Sequence, residues 1–420
     1  MASTQLPPHA RRRRAIIAAS IGNAFEWFDF IIYGFFAMVI AKLFFPVGNE
    51  SASLVLTFAS FGVTFVMRPL GAIVLGHLAD RRGRKTALTL TFLMMMAGTA
   101  LTAFAPTYSS IGVWAPIMIV VARLIQGFSV GGEFGSATVF LAEQNPKQRG
   151  FYASWQFAGQ GLSAVLATGF GVVLNSALTA EQMEMWGWRI PFLFGLLIGP
   201  VGYYIRRHVD ETLEFQSAQT TSAPLRETLV NEKTRLLIAL GLIALLTAAA
   251  YTNLYMPTYA VHQLGLPPAV GFLAGLLAGA IQIVIVPVSG TLSDRLGRLP
   301  IAAAAIAATL VSVQPLFAWL VARPTIGWLL VVQATIGVFI AVYVGPISVL
   351  ICELFPAHVR TTAVSTSYSL AVAIFGGFAP LIMASLINLT GSSLVPSYYL
   401  MFAAVISLAA LGAANRLGFR

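Results

Sequence analysis

Apolar runs of about twenty residues, the length a bilayer-spanning helix needs, recur along this chain from end to end. Of its 420 residues, 58% are hydrophobic and 10% are charged, whereas soluble globular chains carry roughly 25% charged residues. No water-soluble core absorbs that many apolar segments. A backbone inside hydrocarbon must satisfy its N–H and C=O groups internally, which leaves helices or a closed barrel. The runs are continuous and not alternating, and this excludes a barrel. The expected class is an all-α polytopic membrane protein.

Twelve spans are expected, near 15–41, 52–79, 86–106, 112–143, 150–176, 187–206, 235–261, 268–293, 300–321, 325–351, 361–388 and 395–416. The formal charge of +10 reflects where the basic residues stand. Arg11 to Arg14 precede the first run, and Arg81, Arg82, Arg84 and Lys85 follow the second. Lys147 and Arg149 follow the fourth, Arg295 and Arg298 the eighth, and Arg360 the tenth. Arg206, Arg207, Arg226, Lys233 and Arg235 surround the middle loop. All of these fall on one side, which the positive-inside rule makes cytoplasmic, with both termini there. The basic balance is therefore topological and implies no nucleic-acid partner. Cys352 is the single cysteine, so no intrachain disulfide is expected. Glu26 and Asp29 interrupt the first run and no small-residue cleavage site follows, so it reads as a retained span and not a signal peptide.

The chain repeats itself. GHLADRRGRK at 76–85 is echoed by GTLSDRLGR at 290–298, with Asp80 and Asp294 separated by 214 positions. LAEQNPKQRG at 141–150 is echoed by ICELFPAHVR at 351–360, with Glu143 and Glu353 separated by 210. Two echoes at nearly one offset imply parallel six-span halves, which in transporters hold the site at their interface. The expected organisation is a six-helix bundle over 1–206, a cytoplasmic linker over 207–234 and a second bundle over 235–420.

The repeated Gly-x-x-x-Asp-Arg-x-Gly-Arg loops suggest a cytoplasmic gate. Gly76 and Gly290 permit close helix approach. Asp80 and Asp294 stand where a helix leaves the bilayer and can pair with arginines or with a neighbouring helix N-terminus. Gly83 and Gly297 allow a tight turn, beside Arg81, Arg84, Arg295 and Arg298. Glu143, Arg149, Glu353 and Arg360 read as a charge network at helix ends on the same face.

Charges inside spans carry the chemistry. Each costs roughly 2.5–3.5 kcal/mol at a helix centre on insertion scales, so five facing lipid would be intolerable. They are Glu26 and Asp29 in span 1, Arg68 in span 2, and Arg123 and Glu133 in span 4. At 1.5 Å per residue, Glu26 and Arg68 lie about 18 Å, and Glu133 about 15 Å, from their basic-side flanks, close to the midplane. Three acids against two bases balance when one carboxylate is protonated, an arithmetic that suits proton coupling and that a structural ion-pair cluster would also show. Arg68, in Met-Arg-Pro, suits bidentate capture of a carboxylate. Arg123 can pair with Asp29, bind substrate or alternate between them; the sequence leaves these open. The second half supplies neutral groups: Tyr251, Asn253, Tyr255 and Tyr259 in span 7, Gln282, Gln333, Tyr343, Ser365, Ser367 and Tyr368. Charges in one half and neutral donors in the other suit an anion held between them. The five histidines are scattered without ligand spacing, so no metal site is expected.

The repeated loops resemble the signature loop of the major facilitator superfamily, and Arg-x-x-Gln-Gly at 123–127 resembles its span-4 signature. GNAFEWFDFIIYG at 22–34, FVMRPLGA at 65–72, RLIQGFSVGGEFG at 123–135, GFYASWQ at 150–156 and WGWRIPF at 186–192 resemble the metabolite:proton symporter branch. SLAVAIFGGFAP at 369–380 and the short middle loop are most similar to its citrate and tricarballylate members. The resemblance implies the major facilitator fold and proton-driven import of a tri- or dicarboxylate, citrate or tricarballylate first. It implies a bacterial inner-membrane monomer with no cofactor beyond the coupling proton, Na⁺ remaining open. It also adds Asn23 and Gln156 to Arg68, Arg123, Tyr251, Asn253, Tyr255 and Ser367 as substrate candidates, and makes Glu26, Asp29 and Glu133 the proton candidates. The rival readings are symport of 2-oxoglutarate, shikimate or a zwitterionic solute, drug efflux, and a nutrient sensor without transport. An intramembrane enzyme is a weak reading, since Gly131 to Gly135 hold no Ser nucleophile.

Overall fold

The computed structural model describes residues 24, 27–82, 84–131, 133–197 and 224–419. Among them the structure is helical, without a strand. The helices are α1 (Trp27–Phe35 and Ala37–Phe44, bent by 69° at the break), α2 (Glu50–Arg82), α3 (Arg84–Ala103) and α4 (Trp114–Ser129, then Glu133–Glu143). After α5 (Arg149–Ala177) and α6 (Arg189–Leu196) come α7 (Lys233–His262), α8 (Pro268–Leu296) and α9 (Arg298–Ala322). The last are α10 (Ile326–Glu353), α11 (Arg360–Thr390, through a π-helical turn at Ala373–Gly377) and α12 (Val395–Arg416). Eight described helices are long and apolar enough to cross a membrane, nine with bent α1. The outward faces carry exposed Val311, Trp319, Leu389 and Phe402, the surface that lipid covers.

The packing repeats with a period of six helices. The contacts α2–α4, α3–α4 and α3–α6 of the first half recur as α8–α10, α9–α10 and α9–α12. Between halves, α5 lies along α8 and α11 lies against α2, again an equivalent pair. The fold is thus two pseudo-symmetric six-helix bundles. The middle segment is not all loop: Pro224–Val230 is a short helix packed on α7 and α11, with Glu227 Oε1 2.9 Å from His358 Nε2.

Lipid offers no hydrophobic drive for helix association, so close packing of small residues takes over. A Cβ added at Gly71 would strike the Phe128 backbone, one at Gly127 the Thr64 backbone, and one at Gly131 the Arg68 carbonyl. These three glycines press α2 against α4 backbone to backbone and set where Arg68 lies. Across the halves, Gly150 of α5 meets Gly290 of α8 in the same way. Gly127→Val should therefore lower stability by about 1–3 kcal/mol through overpacking. Gly412→Val, whose Cβ meets nothing within 4 Å, should not; thermal unfolding of detergent-purified protein compares the two.

Candidate functional site

Arg68 stands mid-way along α2, beside Pro69, and is 2% exposed. Three aromatic rings enclose its guanidinium: Cζ is 5.2 Å from the centroid of Trp27, 4.9 Å from Phe30 and 4.5 Å from Phe65. Such stacking offsets part of the cost of burying the charge but accepts no N–H. Nε and Nη2 have no hydrogen-bond partner among the described residues. Those two nitrogens form one edge of the guanidinium, the edge that takes a carboxylate through two parallel bonds.

Arg123 is placed differently. It is fully buried on α4, its Cζ 4.2 Å from the Tyr33 ring, and its Nη2 donates to Thr102 Oγ1 at 3.0 Å. Its unpartnered nitrogens are Nε and Nη1, which share no edge. Asp29, also fully buried, forms no direct ion pair with it. Gln126 Nε2 donates to Asp29 Oδ2, and to Thr99 Oγ1 at 3.1 Å. The Tyr33 hydroxyl shares a 2.6 Å hydrogen bond with Ser60. Asp29 and Arg123 are thus each hydrogen-bonded to neutral side chains, Asp29 to Gln126 and Arg123 to Thr102. A carboxylate held this way can gain or lose a proton without breaking a salt bridge.

The neutral residues of the second half mostly satisfy themselves. Gln333 Nε2 donates to Asn253 Oδ1 at 2.5 Å, Ser367 Oγ to the Ala363 carbonyl at 2.7 Å, and Tyr259 to the Ser393 carbonyl at 2.7 Å. Tyr255 packs edge-on to Phe58 with centroids 5.6 Å apart. Tyr251 alone of the expected tyrosine stripe reaches the arginine box, edge-on to Phe65 at 5.4 Å. Gln156 is buried on α5. Asn23 and Glu26 lie outside the described residues, as does the side chain of Glu133, which begins the second segment of α4.

Residues 19–380 match the Major Facilitator Superfamily. The chain belongs to that superfamily. It is 39% identical over 401 residues to the citrate-proton symporter of Klebsiella pneumoniae, covering 94% of this chain and 90% of the relative. It is 34% identical over 411 residues to the proline/betaine transporter of Escherichia coli K12, covering 94% and 82%. Among solved structures, the D-xylose-proton symporter has the same fold, with a TM-score of 0.73 at 17% identity over 94% of this chain and 96% of that one. The protein is a multi-pass membrane transporter and not an enzyme.

In a transporter of this fold the ends of the cleft between halves matter as much as its centre. At the end carrying the basic loops, Asp294 accepts the backbone N–H of Gly150 at 2.9 Å and of Phe151 at 3.0 Å, capping α5 from the other half. Arg298 Nη1 holds Asp294 at 2.7 Å and its Nη2 reaches Glu353 at 3.3 Å. Arg360 of α11 pairs with Glu143 of α4 at 2.9 Å, and Arg149 lines the same crevice with Cys352. Gly297 turns between α8 and α9 at φ +95°. Arg295 is exposed and joins no ion pair among the described residues. Gly83 and the side chains of Asp80, Arg81 and Arg84 lie outside the described set. Nearer the centre, Phe134 stacks on Tyr368 with centroids 3.4 Å apart, and Trp27 meets Tyr368 edge-on at 6.3 Å. At the opposite end Phe272 packs on Phe35 and Phe36, and His262 lies 3.6 Å from Glu50. The halves touch at both ends, so the arginine box is closed on both sides.

Nothing in the sequence singles out Trp27, Phe30 and Phe65 as the box, nor Thr99 and Thr102 as the partners of Gln126 and Arg123. Gln126 was legible, since it lies one turn from Arg123 inside the Arg-x-x-Gln-Gly pattern. Cys352, 3% exposed, reports on the basic end, and no other cysteine competes with it. Asp294→Ala removes its charge-assisted bonds to Gly150, Phe151 and Arg298, each worth about 1.5–3 kcal/mol. Maleimide labelling of Cys352 should then accelerate about tenfold or more over the unsubstituted protein.

Proposed function

We propose that the protein imports an organic carboxylate, citrate or tricarballylate foremost, together with protons by alternating access. The observation that carries this reading is the unpartnered Nε–Nη2 edge of Arg68, buried among aromatic rings between the halves. An uncompensated guanidinium in a low-dielectric site is costly, and a carboxylate completes its hydrogen bonds. The citrate-proton symporter relative supports the same substrate class. Asp29, with Gln126, Thr99 and Arg123, is the proton-handling group among the described residues; Glu26 and Glu133 are further candidates. Arg68 takes the anion while Arg123 stays with Asp29.

Energetics require coupling. Each net charge moved against an inside-negative potential is worth about 2.3 kcal/mol per 100 mV, so a multivalent anion must enter with several cations. Protons fit the carboxylate network, and Na⁺ is the alternative that the transport assay separates. The basic loops make their end cytoplasmic, with both termini there, in a bacterial inner membrane. The network of Asp294, Arg298, Glu353, Glu143 and Arg360 is then the inner gate, and a single chain holds the whole site. The domain division at 206 and 235 follows from the same repeat.

Labelled citrate and tricarballylate uptake into proteoliposomes, with and without an inward proton gradient, tests this reading. Arg68→Ala should reduce uptake by roughly 30-fold or more, the equivalent of 2 kcal/mol, the lower range for losing one member of a buried charge pair. Asp29→Asn should lose gradient-driven accumulation yet keep citrate–citrate exchange. Uptake of proline or betaine with neither acid transported would replace the substrate class, and a response to a Na⁺ gradient alone would replace the coupling ion.

A further inference from the structure

Tyr251 is 5% exposed, and its hydroxyl has no hydrogen-bond partner among the described residues. Three other buried tyrosines are satisfied: Tyr33 by Ser60, Tyr259 by the Ser393 carbonyl and Tyr343 by the Leu242 carbonyl. The Tyr251 ring cannot swing away to find a partner. Phe61 and Phe65 flank it at 5.9 and 5.4 Å between centroids, and on its other side a Cβ at Gly376 would come within 2.6 Å of the ring. A buried hydroxyl without a partner costs stability, and a ligand oxygen beside the fixed Tyr251 hydroxyl would relieve that cost.

Phe65 is shared. Arg68 lies over its ring and Tyr251 packs perpendicular to it, with centroids 5.4 Å apart. The site therefore presents two kinds of free polar group on one aromatic wall: a two-nitrogen edge and a single hydroxyl. The edge matches a carboxylate. The hydroxyl, able to donate or accept, matches one further oxygen close to that carboxylate.

We propose that the site selects carboxylates carrying an oxygen on the adjacent carbon, the Arg68 edge taking the carboxylate and the Tyr251 hydroxyl the α-hydroxyl or α-oxo oxygen. This deepens the carboxylate reading above and rests on it. Citrate carries such a hydroxyl beside its central carboxylate; tricarballylate is the same skeleton without it. Malate and succinate form a smaller pair with the same difference.

Competition against labelled citrate uptake in proteoliposomes separates the members of each pair. The unsubstituted transporter should favour citrate over tricarballylate, and malate over succinate, by about tenfold or more, because a site built to bond a substrate oxygen leaves its own polar group unpaired with the analogue lacking it. Tyr251→Phe should bring citrate down to the level of tricarballylate while leaving inhibition by tricarballylate unchanged. Equal competition by both members of each pair in the unsubstituted transporter would overturn the proposal with the carboxylate reading intact. A preference that survives in folded, active Tyr251→Phe would overturn it as well. Absence of uptake of every acid by folded protein would bring down the carboxylate reading and this one with it. The comparison within the unsubstituted protein decides the selectivity even where the variant fails to fold.

Discussion

A guanidinium inside a membrane bundle must be held by something, and aromatic rings enclose that of Arg68, whose Nε and Nη2 meet no acceptor among the described residues. The rings of Trp27, Phe30 and Phe65 stabilise the charge without occupying its Nε–Nη2 edge. That arrangement depends on the contact of α2 with α4, where Gly71, Gly127 and Gly131 remove every side chain that would separate the two backbones. Widening this contact would move the arginine out of its box. The small-residue seam and the charged site are therefore one construction.

The two arginines buried among the described residues differ in the geometry of their unpartnered nitrogens. Arg68 keeps a bidentate edge, whereas Arg123 has given one of its terminal nitrogens to Thr102 and stacks on Tyr33. Gln126, one turn along α4 from Arg123, donates to the Asp29 carboxylate. In the proposed reading, anion recognition and proton handling occupy adjacent but separate sets of side chains, on α2 and on α1–α4. Such separation lets the charge of one set influence the other through space without their sharing a hydrogen bond.

Closure at the ends uses interactions suited to being remade. Asp294 caps the N-terminus of α5 across the halves and is held in place by Arg298. Each bond is charge-assisted but only partly buried, so its net contribution is modest. At the other end aromatic rings and one His–Glu contact meet. A doubly closed site with modest bonds at each end can open on either side when its content changes.

The amino-acid sequence determined the helical class, the twofold repeat and the positions of the spans that lie within the described residues. Span 5, expected at 150–176, is α5 from Arg149 to Ala177, and span 12, expected at 395–416, is α12 with those limits. Apolar run length and loop charge are local properties, so they can be read without contacts. The sequence also pointed to Asp294 as a partner for a helix N-terminus, but only tertiary structure chose α5 of the other half. Arg68 and Asp29 could be named because a charge within an apolar run must face inward. Their surroundings could not be named: Trp27, Phe30 and Phe65 are a few among the many aromatic residues of the chain, and nothing local distinguishes a ring facing lipid from one facing an arginine. Tyr251, Tyr255 and Tyr259 share one periodicity, yet Tyr259 is bound to a carbonyl while the Tyr251 hydroxyl is left without a partner among the described residues. Periodicity assigns a face to a residue, whereas partners depend on which backbone passes nearby, and that is decided only when the two halves pack.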